Sequence, residues 1–141
     1  MTAQRFTATH SPAWCRTGCA CGRQRGSAQR AQMRAYALAV AVALTGAAQC
    51  VHCGDAISLH RGEVDRVVTG CYRPGAVIMT CESCNNGAGQ AGDRIDRAAY
   101  AAAVAAASAN VAIPSPSESV RQYKAGADIF RTIARSPFWR G

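Results

Sequence analysis

Cys50-Val51-His52-Cys53-Gly54 and Cys81-Glu82-Ser83-Cys84-Asn85 are the stretches whose reading decides the fold of this chain. A Cys-x-x-Cys turn points two sulfurs to one side, and two such turns together supply the four thiolates that zinc prefers in tetrahedral geometry. A site closed by four cysteines leaves no coordination position for chemistry, so the metal expected here is a structural Zn2+. Disulfides are the alternative. The remaining cysteines, Cys15, Cys19, Cys21 and Cys71, are irregularly spaced and do not form the framework of a small secreted domain. The sequence therefore predicts one zinc held by Cys50, Cys53, Cys81 and Cys84.

Between the pairs, Ile57-Ser58-Leu59-His60 and Glu63-Val64-Asp65-Arg66-Val67-Val68 read as two strands joined by Arg61-Gly62 as a hairpin turn. That pairing would set His60 opposite Glu63 and diagonal to Asp65, since alternate strand residues share a face. Residues 69–76, with Gly70, Pro74 and Gly75, read as a loop, and Val77-Ile78-Met79 leads into the second pair. A helix is expected to begin near Glu82. His52, inside the first turn, is expected to face solvent or a polyanion.

Outward from this middle, residues 34–45 read as a buried helix ended by Thr45-Gly46. Residues 33–48 also resemble a short secretory leader, but export would carry the reduced thiols into an oxidising compartment. The apolar run is too short to span a bilayer. We therefore expect no membrane partner and a cytoplasmic location. Asp93-Arg94-Ile95-Asp96 opens an alanine-rich helix to about Ala109, with acids where the helix dipole favours them. Val111–Ser117 reads as a linker, and Ser119–Arg135 as a helix with Val120, Tyr123, Ala127, Phe130 and Ala134 on one face. The domain reading is thus a basic, disordered tail at 1–31, a zinc domain with flanking helices at 32–110, and a linker with a basic helix at 111–141.

The formal charge is +8, and Lys124 is the only lysine. Its distribution is uneven. Residues 1–49 hold six arginines and no acid, residues 50–93 carry five acids against three arginines, and residues 94–141 carry seven cations against three acids. An acidic middle between basic flanks suits a metal site whose arms grip a polyanion. Arg23, Arg25, Arg30, Arg66 and Arg73 are the candidate nucleic-acid contacts.

CxxCG, a Val-Asp dipeptide on a strand, a Gly-containing loop and CxxCN opening a helix together resemble the zinc-bound HNH endonucleases of the ββα-metal class. The layout is similar to small HNH proteins encoded by phages of high-GC actinobacteria. The resemblance covers residues 50–89 and extends loosely to the helices on either side. It implies a small α+β fold with a structural zinc, a catalytic Mg2+ or Mn2+, and hydrolysis of DNA phosphodiester bonds in a bacterial host cell. Phage packaging proteins are implied as further partners. The strand acid that holds the catalytic ion in that family falls on Asp65, and the polar residue after the last cysteine falls on Asn85. Both offer hard oxygen donors, as magnesium requires.

Three positions depart from the pattern. Arg66 stands where the family has its general-base histidine, and Ala76 stands where it has a loop asparagine; Ala88 replaces a basic residue often found after Asn85. An arginine is already protonated near neutral pH and cannot accept a further proton, but it can pair with phosphate and stabilise charge. His60 is the candidate replacement base. The resemblance therefore implies a nuclease or nickase; the alternatives are a DNA-binding module that has lost cleavage and a structural zinc protein that docks on a larger phage machine.

Overall fold

Helix α1 (Ser27–Thr45) begins where Ser27 gives way to Ala, Gln, Arg and Met, all strong helix formers. It buries Ala31, Met33, Tyr36, Ala37, Val40 and Ala41, a stripe with helical spacing. It ends at Gly46, whose φ of +89° suits a left-handed cap and whose N–H donates to the Val42 carbonyl at 2.8 Å. The computed structural model describes residues 27–68, 72–86 and 96–135. Residues 27–31, expected as tail, are thus the first turns of α1.

Strands β1 (Glu63–Arg66) and β2 (Val77–Thr80) pair antiparallel, with Glu63 opposite Thr80 and Asp65 opposite Ile78. This corrects the predicted hairpin of residues 57–60 with 63–68. Ser58 and Arg61 instead exchange main-chain hydrogen bonds, and the Ser58 hydroxyl accepts from the N–H groups of His60 (3.2 Å) and Arg61 (3.1 Å). A serine that satisfies its own turn in this way competes with a strand ladder. Gly62 then lies against β2. Its φ is +143°, and a side chain there would come within 2.9 Å of the Thr80 carbonyl, so only glycine fits. The connection that joins the paired strands is the longer one between Arg66 and Val77.

All four β2 residues are buried, so the strand is covered on both faces and lacks the alternation that marks a half-exposed strand. Val77, Ile78 and Met79 meet Tyr36, Ala37 and Val40 of α1 in the core, joined by Ile57, Val64 and Tyr72. β2 runs directly into α2 (Glu82–Asn86), close to the expected helix start. Helix α3 (Arg97–Ser108) is capped by Asp96, whose carboxylate accepts from the Ala99 N–H at 3.0 Å, and it contributes Val104 to the core. The expected acids of its first turn reduce to this cap among the described residues.

Helix α4 (Pro116–Arg135) starts three residues earlier than expected. Ser115 is its cap, accepting from the Glu118 N–H at 3.1 Å, and Pro116 takes the first helical position, where a missing N–H costs least. The segment after residue 111 folds back on the molecule. Gln32 of α1 donates to the Pro114 carbonyl at 2.8 Å, and α4 packs along α1. The architecture is mixed α+β, a two-stranded sheet with α1 against it and α3 and α4 beside α1. No helix among the described residues is long and apolar enough to cross a membrane.

Candidate metal centre and the Asp65 site

The first Cys-x-x-Cys turn is built by its own main chain. Cys50 N–H donates to the Asp55 carbonyl and Gly54 N–H to the Cys50 carbonyl, both at 2.8 Å, with Gly54 at a φ of +81°. A bridge between Gln49 and Ala56 fixes the turn's base. The second pair is fixed by the step from β2 into α2, where Cys84 N–H points at the Cys81 sulfur (3.3 Å) and Asn85 N–H at the Cys81 carbonyl (3.0 Å). All four sulfurs come within 4.8 Å of one another, and Cys53 and Cys81 are 3.5 Å apart. Four sulfurs at about 2.3 Å from a zinc ion would be spaced by about 3.8 Å, so the set has the right size for one tetrahedral ion. These four cysteines are free thiols. Together they can hold a metal ion such as zinc.

The electrostatics of the cluster favour a cation. Burial raises the Cys50 pKa, but main-chain N–H groups of Cys81, Cys53 and His52 outweigh it and lower the thiol overall. Cys84 is pushed up by burial and by the neighbouring sulfurs of Cys81, Cys53 and Cys50. For Cys53, the Asp55 main chain works downward, but desolvation and the Cys81 thiol leave it raised. Four thiolates this close cannot all ionise without a positive charge among them. A divalent ion supplies that charge, and its binding releases the protons.

Asp65 lies half-buried on β1, two residues from Glu63 and opposite Ile78. Burial raises its pKa, while His52, the Tyr100 hydroxyl, Arg66 and Arg97 pull it back toward the carboxylate. These neighbours come from three places: the first cysteine turn, β1 itself and the first turn of α3. Arg97 and Tyr100 are three apart on α3 and so share a face. The His52 and Tyr100 rings lie 5.2 Å apart at 57°. His52, expected to face solvent, is thus half-buried beside the acid.

His60 goes elsewhere. Thr80, not His60, is opposite Glu63, and the His60 Nε2 lies 2.6 Å from the Tyr123 carbonyl of α4. Its ring packs on the Tyr123 ring at 3.9 Å, and Gly126 leaves the space, since a methyl there would meet the imidazole at 3.2 Å. Nothing in this arrangement brings His60 to Asp65. Asn85 is half-buried, directly after Cys84 on α2. Ala76, where the resemblance puts an asparagine, is buried in the core, with its carbonyl accepting from the Val67 N–H at 3.0 Å.

Among the candidate phosphate contacts, Arg66 is exposed, its guanidinium 5.4 Å over the Tyr72 ring. Arg30 is exposed on α1 and lines, with Arg34, Tyr123 and Lys124, a groove of about 390 Å³ between α1 and α4. Arg73 is half-buried, and one of its guanidinium nitrogens is enclosed without a hydrogen-bond partner. Arg23 and Arg25 fall outside the described residues, as do Cys15, Cys19, Cys21, Cys71 and Ala88. Arg34, which the sequence did not single out, clamps the turn before β1 by donating to the carbonyls of Leu59 (2.7 Å) and Gly62 (2.9 Å).

No family model, curated protein or solved structure matches the chain.

Proposed function

We propose that the chain is a zinc-stapled, divalent-cation-dependent DNA endonuclease or nickase of the HNH type. The observation that carries this reading is the position of Asp65. It is a half-buried carboxylate on the first strand of a hairpin whose second strand runs straight into Cys81-x-x-Cys84. In this reading Asp65 and Asn85 would hold a Mg2+ or Mn2+, and the ion would supply polarisation of the scissile phosphate and stabilisation of the leaving oxygen. Arg66, whose charge lies beside Asp65, pairs with a phosphate oxygen and balances charge that develops on it. The cations of α1 and α4 bind the backbone without reading sequence. His60 has no part in this chemistry, because its ring is committed to α4. A phage origin and association with packaging proteins rest on the resemblance alone.

A second reading, a DNA-binding module without cleavage, is favoured by Arg66 and Ala76. Neither can take up the water's proton, and Ala76 is a buried side chain that offers no polar group to water or phosphate. Supercoiled plasmid incubated with zinc-loaded protein, with and without Mg2+ or Mn2+, separates the two. The nuclease reading expects metal-dependent nicking that disappears in Asp65→Ala. Binding without nicking under every metal condition supports the module, and nicking unchanged in Asp65→Ala rejects Asp65 as the centre.

A further inference from the structure

The groove of about 390 Å³ between α1 and α4 is bounded by Arg30, Ala31 and Arg34 on one helix and by Val120, Tyr123 and Lys124 on the other. Steps of three and four residues put each set on a single helix face. The volume falls in the range of small-ligand sites, about 300–1,000 Å³. Ala31 and Val120 make part of the lining apolar, and the charged side chains that line it are all cations. Arg30 and Lys124 are exposed, while Arg34 is engaged by the Leu59 and Gly62 carbonyls. Tyr123 is 36% exposed, and it also borders a second cavity, of about 450 Å³, that His60 lines. Its ring packs on the His60 imidazole at 3.9 Å with a 38° tilt, and its carbonyl lies 2.6 Å from His60 Nε2. An exposed aromatic ring is thus braced from behind in a cationic, partly apolar cleft.

We propose that this groove binds an unpaired nucleotide of a single DNA strand, with the base stacked on Tyr123 and the flanking phosphates drawn by Lys124 and Arg30. Phosphate charge complements a lining without acids, and the flat face of a base complements the apolar wall. The ring decides for a single strand. Inside a duplex each base face is covered by its neighbours and only base edges reach the grooves, so a duplex has no face to lay on Tyr123. Stacking accepts every base, so the site selects strand state and not sequence. This deepens the reading of the chain as a DNA-binding protein and rests on it, but it does not depend on cleavage.

The test uses the full zinc-loaded chain in buffer free of Mg2+ and Mn2+, with a fluorescein-labelled oligothymidylate and a labelled duplex of equal length as anisotropy probes. Tyr123→Leu keeps the wall apolar and removes the ring face. It should weaken oligothymidylate binding about tenfold and change duplex binding by less than about twofold. Tyr123→Phe keeps the ring and should bind both probes like wild type. Lys124→Gln should lower the salt slope for oligothymidylate by about 0.7. Oligothymidylate affinity within about twofold of wild type in Tyr123→Leu, or an equal loss for both probes, overturns the proposal. So does a loss in Tyr123→Phe that matches Tyr123→Leu, since the ring face would then not be the contact. Polyglutamate that displaces the labelled strand as well as unlabelled oligothymidylate does would make the groove a site for acidic protein and overturn it too. Wild type that binds the duplex but not the single strand rejects the groove assignment alone. Wild type that binds neither rejects the DNA reading on which it rests.

Discussion

The cysteine cluster and the Asp65 site share one hairpin, yet they are built to different degrees. The cluster has four ligands of one chemistry, converged by local turns, with a sulfur for each position that a tetrahedral ion offers. The Asp65 site has one carboxylate and the neighbouring Arg66 on β1, joined by an unpaired hydroxyl and Arg97 from the distant α3. A complete set of soft donors suits a metal that stabilises the fold. An open site with an oxygen donor suits a metal that must exchange water for substrate. The comparison teaches that the staple can be complete while the chemistry remains adjustable.

Chelation breaks the comparison most severely. Structural zinc in small domains contributes about 10–16 kcal/mol of apparent binding free energy, against about 5–15 kcal/mol of typical folding stability. Stripping the metal should therefore unfold the hairpin, seen as loss of hydrogen-exchange protection at Val64, Ile78 and Met79. Cys81→Ser should behave the same way without chelator. Retention of full protection after removal would mean that the helices alone hold the sheet.

Arg66→Ala sharpens the other half. Removing one guanidinium that pairs with phosphate should reduce the slope of log affinity against log salt for duplex DNA by about 1. An unchanged slope would leave the guanidinium to its stacking on Tyr72.

What the sequence made legible divides along the same line. The cysteine pairs, the end of α1 at Gly46 and the helix after Cys81 are set by residues close in the chain, and spacing alone reveals them. Asp65 could be read as a strand acid by resemblance, but its companions could not. Tyr100 lies 35 positions beyond it, and the packing of α3 that brings it back leaves no local pattern. The two histidines exchanged their expected roles for a physical reason. Ser58 closes its own turn, which denies residues 57–60 a place in the sheet and turns His60 toward α4, while the first cysteine turn aims His52 at Tyr100. β2 carried no alternation because both of its faces are covered.

The smallest effect comes from the contact between His60 and α4. Gly126 sits inside α4, where alanine would ordinarily be favoured by about 1 kcal/mol. The added methyl would meet the His60 imidazole, so Gly126→Ala should give little or no gain in the urea midpoint. In a His60→Ala background the gain should return. Equal gains in both backgrounds would show that His60 does not hold α4.

The central claim is that this hairpin serves two metals, one fixed by cysteines and one recruited by Asp65. Native mass spectrometry of zinc-loaded protein exposed to Mn2+ tests it directly, with Asp65→Ala beside wild type. The account predicts one zinc in both proteins and one additional manganese in the wild type alone. Equal manganese uptake by the two proteins, or a wild type without zinc, would contradict it.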